Sequence, residues 1–533
     1  LELVEDEKEK NKGAVQEPNA FLERHLLKST YALFKILREN HLIDKVGFKD
    51  LGAGGVACAS VELAETSGYG SEIWMEQIHV GIKNLHPSVY LCSETQERFM
   101  WVCPPEITPT IVNHYNKVFD FPTVSSGTKA SIIGKIREDG MYVVHNGEEE
   151  IVNAPASEVT KGFLYDRPYK TIQDNHSEPN IDEPNSYNDI LIKILSHENV
   201  CSRMPVYEKY DKQVQGRTYI ETGLADAGVM TPFNSSEYPE EIRNVGIALS
   251  TDHNPLHGLI NPYLSGINAV VEAMRNVASV GATPHAITDC LCYGNPEKPQ
   301  QMWQFIEGVK GINDACKTIT LKHSKESPTP IIAGNVSFYN ESKDKSIPPS
   351  PIVSCLGKIQ NVKKTITMSF KKENSVIILI GKRKNELGGS IFYDLHNELG
   401  KNVPDPDLGE VKNQIYGVTD CIEQGLVFAC HDISEGGVAT SLCEMTFGNS
   451  IGCSVKIESK LSTEKTLFSE TGGFLLETKK ENIESIQSIF NQYKLDTSII
   501  GVTGGNKIKV NNAIDIKVNA AKISWESGLR DKL

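Results

Sequence analysis

The sequence has 12 cysteines but no C-x-x-C pair, so neither a zinc ribbon nor a disulfide scaffold is indicated. Cys290 and Cys292 are two apart and have no second pair nearby. The expectation is reduced, mostly buried thiols in a cytoplasmic protein. Apolar runs are short, none longer than five residues, as in Val376–Ile380, which is too little to span a bilayer. No signal peptide is visible, and no membrane partner is expected. Basic residues are outnumbered, 54 against 69 acidic, for a net charge of −15. That balance argues against a nucleic-acid partner held mainly by electrostatics. It leaves room for a phosphorylated substrate at a local, metal-bridged site. The chain begins with Leu1 and no Met, which reads as a fragment or a processed product.

What the sequence does contain is a duplication. Asp50-Leu51-Gly52-Ala53-Gly54-Gly55-Val56-Ala57 recurs as Asp432-Ile433-Ser434-Glu435-Gly436-Gly437-Val438-Ala439, 382 positions later. Glu62 and Glu444 keep the same offset of 382. Cys92-Ser93-Glu94-Thr95 is matched by Phe468-Ser469-Glu470-Thr471 at an offset of 376. Two motifs in one order at nearly one spacing indicate an internal repeat. In each copy an acidic residue ends an extended segment and a Gly-Gly pair opens a helix. Glycines let backbone approach a ligand, and a helix N-terminus offers N–H groups to an anion. A strand-to-helix turn packed tightly for structural reasons fits one copy alone equally well, and Asp50 could simply cap the helix.

The chain of 533 residues is long enough for several domains. Residues 1–12, rich in Glu, Asp and Lys, are expected to be loosely ordered. Apolar spacing predicts a helix from Phe21 to Asn40. A short strand over Val46–Phe48 leads to Asp50, and a helix runs from Gly55 to Thr66. Strands are expected at Val89–Leu91, Phe99–Val102, Ala130–Ile136 and Met141–His145, with a helix from Glu106 to Val118. Residues 1–155 read as one domain. Residues 156–205, rich in Pro, Asn, Asp and Ser, read as a connector with one helix, Tyr187–Ile194. Residues 206–360 read as a second domain. It has strands at Val245–Leu249, Ala286–Thr288 and Pro330–Ala333, and helices over Ser265–Val280 and Pro299–Ile319. Residues 373–533 read as a third, ending in a short tail after Gly505. The alternation places the chain in the α/β (α+β) class.

Four segments carry a family resemblance. They are Ile287-Thr288-Asp289-Cys290-Leu291 with Tyr293-Gly294-Asn295-Pro296-Glu297-Lys298-Pro299, then Gly334-Asn335-Val336-Ser337-Phe338-Tyr339-Asn340-Glu341, Lys49–Gly55 and Ser93–Arg98. Together and in order they resemble motifs of the synthetase subunit of phosphoribosylformylglycinamidine synthase. The resemblance implies a PurM-like fold with tandem domains: a barrel-forming amino-terminal type and a carboxy-terminal α/β type. Here residues 1–155 and 373–533 resemble the carboxy-terminal type and residues 206–360 the ATP-binding amino-terminal type. The offset of 382 pushes the first amino-terminal-type domain off the chain, and the family's catalytic histidines with it. None of the 14 histidines takes a catalytic role by motif. The catalytic residue is therefore unassigned, and this chain alone is expected to be inactive.

In the family, ATP phosphorylates the amide oxygen of formylglycinamide ribonucleotide, and ammonia displaces phosphate to give the amidine. A glutaminase subunit supplies the ammonia, and a small bridging subunit completes the assembly. Carried over by motif, Asp289 and Gly334 face ATP. Gln16, Glu94, Thr95, Gln96 and Ser337 contact the ribonucleotide, and Asp50 and Asn335 bind Mg²⁺. Triphosphate oxygens demand such hard cations with oxygen ligands. Asn335 could instead hold a left-handed turn, and Glu94 could form a surface ion pair with Arg98. His253, His257 and His431 read as ordinary hydrogen-bonding residues. The Asp432 copy reads as a structural relict. Glycines at 472 and 473, where the first copy has Gln96-Glu97, suggest that its substrate contact is lost. The alternatives are another PurM-like enzyme, of the aminoimidazole ribonucleotide or selenophosphate synthetase type, or a non-catalytic assembly subunit.

Overall fold

The computed structural model describes residues 19–81, 84–162, 164–172, 175–324, 326–342 and 345–533. Gln16 and the acidic start of the chain lie outside them. The chain forms two compact units, Leu1–Asp166 and Arg167–Leu533.

In the first unit, helix α1 (Ala20–Glu39) is capped by Asn19, whose side chain accepts from the Leu22 N–H. Its apolar face buries Leu26, Leu33 and Leu37 against Ile107, Ile111, Tyr115 and Phe121. Strand β1 (Gly47–Asp50) feeds helix α2 (Gly55–Glu65) through the glycine turn. After β2 (Gly70–Trp74) comes helix α3 (Pro87–Cys92), where the sequence suggested a strand. Pro87 opens the first turn, and the Ser88 N–H donates to His86 Nδ1. Three apolar residues are too few to show a period, so the Pro start decides the outcome. Strand β3 (Phe99–Val102) runs antiparallel to β1, with Asp50 opposite Phe99. The helix expected from Glu106 to Val118 is α4 (Thr108–Asn113) followed by a wider π turn, His114–Val118. The strand expected over 130–136 is limited to β4 (Gly134–Arg137). With β5 (Met141–Asn146) and β6 (Glu149–Pro155) it forms a second sheet in the order β4-β2-β5-β6.

Among its described residues the second unit contains two large sheets and a short antiparallel pairing of Glu341–Ser342 with Lys345–Ser346. Helix α5 (Asn188–Leu195) opens it, and Tyr187, Leu191, Ile194 and Leu195 are buried among residues of the C-terminal sheet. The first sheet has the order β11-β10-β12-β9-β8-β7. Its strands are β7 (Thr218–Ile220), β8 (Gly228–Met230), β9 (Gly246–Asp252), β10 (Thr283–Cys292), β11 (Ile331–Ser337) and β12 (Ser350–Ile359). Helix α6 (Pro262–Ser279) packs on this sheet, and 14 of its 18 residues are buried. Helix α7 (Pro299–Thr318) packs on α6. Strand β11 is the exposed edge, parallel to β10, and continues four residues past the expected end at Ala333.

The second sheet has seven strands in the order β14-β16-β13-β17-β15-β18-β19. Strand β13 (Val376–Ile380) is wholly buried, β14 (Ala429–Asp432) ends at the second acidic motif, and helix α8 (Gly437–Phe447) follows. The remaining strands are β15 (Cys453–Val455), β16 (Phe474–Thr478), β17 (Thr497–Thr503), β18 (Lys507–Val510) and β19 (Ile514–Lys517). The tail expected after Gly505 is therefore two strands and a helix, α9 (Val518–Arg530). Its signal was present: Ile508 and Val510, then Ile514 and Ile516, alternate with polar residues. Asn511 and Asn512 turn the chain between them at positive φ of 50° and 56°. Asn tolerates that conformation better than most residues.

The two copies differ at their centre. In the second copy β13 lies between β16 and β17. Among the described residues of the first unit nothing corresponds to it. A cavity of about 290 Å³, lined by Phe99, Trp101, Ile133 and Ile136 among others, lies beside β3 and β4.

Candidate functional site

The duplicated turn has one backbone geometry. Gly54 and Gly55 have φ of 77° and 53°, and Gly436 and Gly437 have φ of 75° and 67°. A left-handed pair is what glycine permits and what bends strand into helix within two residues. A side chain at Gly55 would come within 2.5 Å of the Ser93 carbonyl oxygen, so the turn and the Ser93 loop are built against each other. Above this shared frame the copies diverge. Asp50 is exposed, whereas Asp432 is 2% exposed. Lys49 pairs with Glu62, two turns into α2. His431 and Glu444, at the same offset of 382, form the equivalent pair at 2.9 Å.

The Ser93 loop is held from behind by its own arginine. Arg98 Nε donates to the Thr95 carbonyl at 2.9 Å, and Nη2 donates to the Ser93 carbonyl at 2.7 Å. Arg98 thus braces backbone, and the ion pair with Glu94 that the sequence allowed is not made. Glu94 and Gln96 point outward and are exposed, and Thr95 is half-buried. Glu97 accepts from the Asn19 N–H at 2.8 Å and ties the loop to the start of α1.

In the second unit, β10 and β11 bring Asp289 and Gly334 into register as neighbours across a parallel pair. Cys290 and Asn335 are the next pair, and Cys292 and Ser337 follow two steps on. Two motifs 45 residues apart thus become one surface. A Cβ at position 334 would lie 2.5 Å from Asp289 Oδ1, so only glycine leaves the carboxyl its place. Burial raises the pKa of Asp289. Asn335 is exposed on the edge strand, with Nδ2 3.8 Å from Cys290 Sγ, and is not the left-handed turn that was an alternative. The Ser337 hydroxyl donates to Asn340 Oδ1 at 3.3 Å, and Asn340 Nδ2 donates to the Tyr293 and Ser337 carbonyls.

The sequence reading missed the interior of the second copy. Asp226 accepts from His431 Nδ1 at 2.6 Å and from the Asp432 N–H at 3.0 Å. The other ring nitrogen of His431 faces Glu444 at 2.9 Å. Burial works against the charged ring, but the two carboxylates raise its pKa well above the usual histidine value. His431 is therefore a charged brace, where the sequence suggested an ordinary hydrogen-bonding histidine. Beside it, carboxylate oxygens of Asp252, Glu272 and Glu435 lie within 4.8 Å of one another. Burial and mutual repulsion push the pKa values of Asp252 and Glu272 well up. No motif joins positions 226, 252, 272 and 435; only the fold does.

The family model "AIR synthase related protein, N-terminal domain" matches residues 225–359. "AIR synthase related protein, C-terminal domain" matches residues 1–146 and 372–511. The chain is thus built from AIR synthase-related modules, with the carboxy-terminal type present twice. It is 39% identical over its whole length to phosphoribosylformylglycinamidine synthase subunit PurL of Methanothrix thermoacetophila, covering 69% of that protein. It is 34% identical to the subunit of the same name from Thermococcus sibiricus, with 92% of this chain and 65% of that protein aligned. The chain belongs to the PurL family. Thermotoga maritima PurL complexed with ATP has the same fold at a TM-score of 0.60 and 20% identity, over 92% of this chain and 68% of that one. PurLQS of Thermotoga maritima gives 0.61 at 21% identity, over the same shares.

Proposed function

We propose that the chain is the larger part of an ATP-dependent synthetase that converts formylglycinamide ribonucleotide to formylglycinamidine ribonucleotide in purine biosynthesis. The observation that carries this reading is the β10–β11 register, which sets Asp289 beside Gly334 and continues to Asn335 and Ser337 on an exposed edge. The chemistry explains why ATP is needed. An amide carbonyl is a poor electrophile and its oxygen a poor leaving group. Transfer of the γ-phosphoryl group to that oxygen gives an imino-phosphate. Ammonia then adds to the carbon, the C–O bond breaks, phosphate leaves, and loss of a proton gives the amidine.

The assigned roles are those the family motifs imply, and the chemistry of each residue type suits its role. Glu94, Thr95 and Gln96 bind the ribonucleotide; Glu94 accepts from hydroxyls, and Gln96 both accepts and donates. Gln16 and Ser337 add substrate contacts. The close fit of the Asp289 carboxyl on Gly334 leaves bare backbone for the nucleotide. Asp50 in the first unit and Asn335 in the second are exposed oxygen donors, the type that suits Mg²⁺, and each would serve as a ligand to such an ion. Mg²⁺ would neutralise phosphate charge. The ammonia source is a glutaminase subunit, joined through a small bridging subunit. The solved assembly named PurLQS supports association with further subunits.

Calorimetric titration of the full chain with a non-hydrolysable ATP analogue and Mg²⁺ tests this reading. Asp289→Ala should weaken that binding at least tenfold, while Gln96→Ala should leave it unchanged. Equal affinity in the parent and Asp289→Ala would refute the nucleotide assignment.

A further inference from the structure

The second copy keeps the turn, the helix and the Ser-Glu-Thr motif, yet its polar groups are spent inside the fold. Glu470 Oε1 accepts from the Ile391 and Gly436 N–H groups, both at 2.9 Å. Thr471 donates to Glu386 Oε2 at 2.6 Å. Where the first copy has Gln96, the second has Gly472, and the Arg275 guanidinium lies against it so closely that any Cβ there would overlap its Nη1 and Cζ. Arg383 closes the neighbouring positions, donating from Nη1 to the Thr471 carbonyl at 2.5 Å and from Nη2 to the Gly472 carbonyl at 3.1 Å. Glycine at 472 and Arg275 therefore go together: a side chain restored at 472 would displace that guanidinium, and one at 473 would overlap the Ile380 carbonyl oxygen and meet Arg383 Nη2 at 3.0 Å.

Arg275 lies within an acidic group. Its side chain is 4% exposed and comes from α6, one turn after Glu272, whose Oε2 lies 3.5 Å from Nη2. Its Nε is 3.7 Å from Asp432 Oδ2, a buried oxygen with no hydrogen-bond partner among the described residues. Asp252, Glu272 and Glu435 converge within 4.8 Å beside it. Several carboxyl groups around one guanidinium make an oxygen-rich acidic pocket, the donor set a hard divalent ion takes. A guanidinium can supply only one of the positive charges such an ion would bring, but it is covalently fixed and always charged.

We propose that Arg275 is a built-in cation that shuts the duplicated site, and that removing it opens a divalent-cation site formed by Asp252, Glu272, Asp432 and Glu435. Arg383 seals the adjoining Ser-Glu-Thr loop. Of the two copies, the first is then the one that presents a ligand surface, a point that rests on the functional reading above. The cation count below does not depend on that reading, so the two can fail separately.

The test counts Mn²⁺ ions by electron paramagnetic resonance in the full chain carrying Asp50→Asn, which removes the ligand assigned to the first copy. Adding Arg275→Ala should add one bound ion per chain, and adding Glu435→Gln should remove it again. Without Arg275→Ala, Glu435→Gln should change nothing. An ion in the Asp50→Asn chain that Glu435→Gln abolishes would overturn the proposal, because the site would then be open already. No added ion on Arg275→Ala would overturn it as well. If Arg275→Ala unfolds in the absence of metal, Mn²⁺ should restore its folding transition and leave the parent's unchanged. Failure of that rescue contradicts the proposal.

Discussion

Replacing Asp226 by Asn should destabilise the second unit through His431. The Asp226 side chain is 4% exposed and accepts two hydrogen bonds, from His431 Nδ1 at 2.6 Å and the Asp432 N–H at 3.0 Å. Asparagine keeps the shape and one carbonyl oxygen, so the bond from Asp432 survives. What it loses is the negative charge against a histidine whose other side already faces Glu444. Removing one partner of a buried ion pair costs about 3–5 kcal/mol, and the retained oxygen reduces that to about 2–3 kcal/mol. The sign of the pH dependence follows from His431. Its folded pKa lies well above the usual 6.5, so the brace contributes fully below that value and is lost as pH rises through the folded pKa. Urea unfolding of parent and Asp226→Asn should therefore show a gap that is widest at and below pH 6.5 and narrows as pH rises through neutrality into the alkaline range. A gap below about 0.5 kcal/mol at neutral pH, or one that widens with pH, would refute the charged-brace account.

Asp50→Asn in the intact protein should keep the fold and severely reduce Mg²⁺-dependent ATP turnover, whereas Asp432→Asn should mainly lower stability. Equal catalytic losses, measured by phosphate release, would mean that the wrong copy has been assigned. Burial raises the pKa of Glu470 to about 8, far above its unfolded value of 4.5. The folded state then holds the proton more tightly, so this group lowers stability as pH rises from about 4.5 to 8. Glu470→Gln retains an oxygen for the Ile391 and Gly436 N–H groups and should flatten that part of the stability profile. An unchanged slope by thermal denaturation would count against it.

Much of this was legible in the sequence, because the duplicated motif carries its own geometry. Asp-x-x-x-Gly-Gly dictates a strand, a left-handed pair and a helix, and the structure has that arrangement twice. The family motifs also pointed to Asp289 and Gly334, though only the parallel register shows that they are neighbours. Other features resisted for physical reasons. Val89–Leu91 is too short for periodicity to separate strand from helix, and Pro87 decided it. The final strands were hidden by lysines on their solvent face. Arg275, Asp226 and the carboxylates around Glu435 form a cluster through long-range packing, which one-dimensional spacing does not encode. The burial of Asp432 against the exposure of Asp50 is likewise invisible in nearly identical motifs.

The central claim is that the first copy's exposed loop receives the ribonucleotide while the Asp289–Gly334 edge receives ATP. Steady-state kinetics of the intact protein, with each substrate varied in turn, tests it most directly. Losing a hydrogen bond to a buried polar partner costs about 1–3 kcal/mol, or roughly one to two powers of ten in affinity. Gln96→Ala should therefore raise KM for formylglycinamide ribonucleotide about tenfold or more and leave KM for ATP nearly unchanged. Asp289→Ala should give the reverse. A Gln96→Ala enzyme with a raised KM for ATP and an unchanged KM for the ribonucleotide would contradict the account.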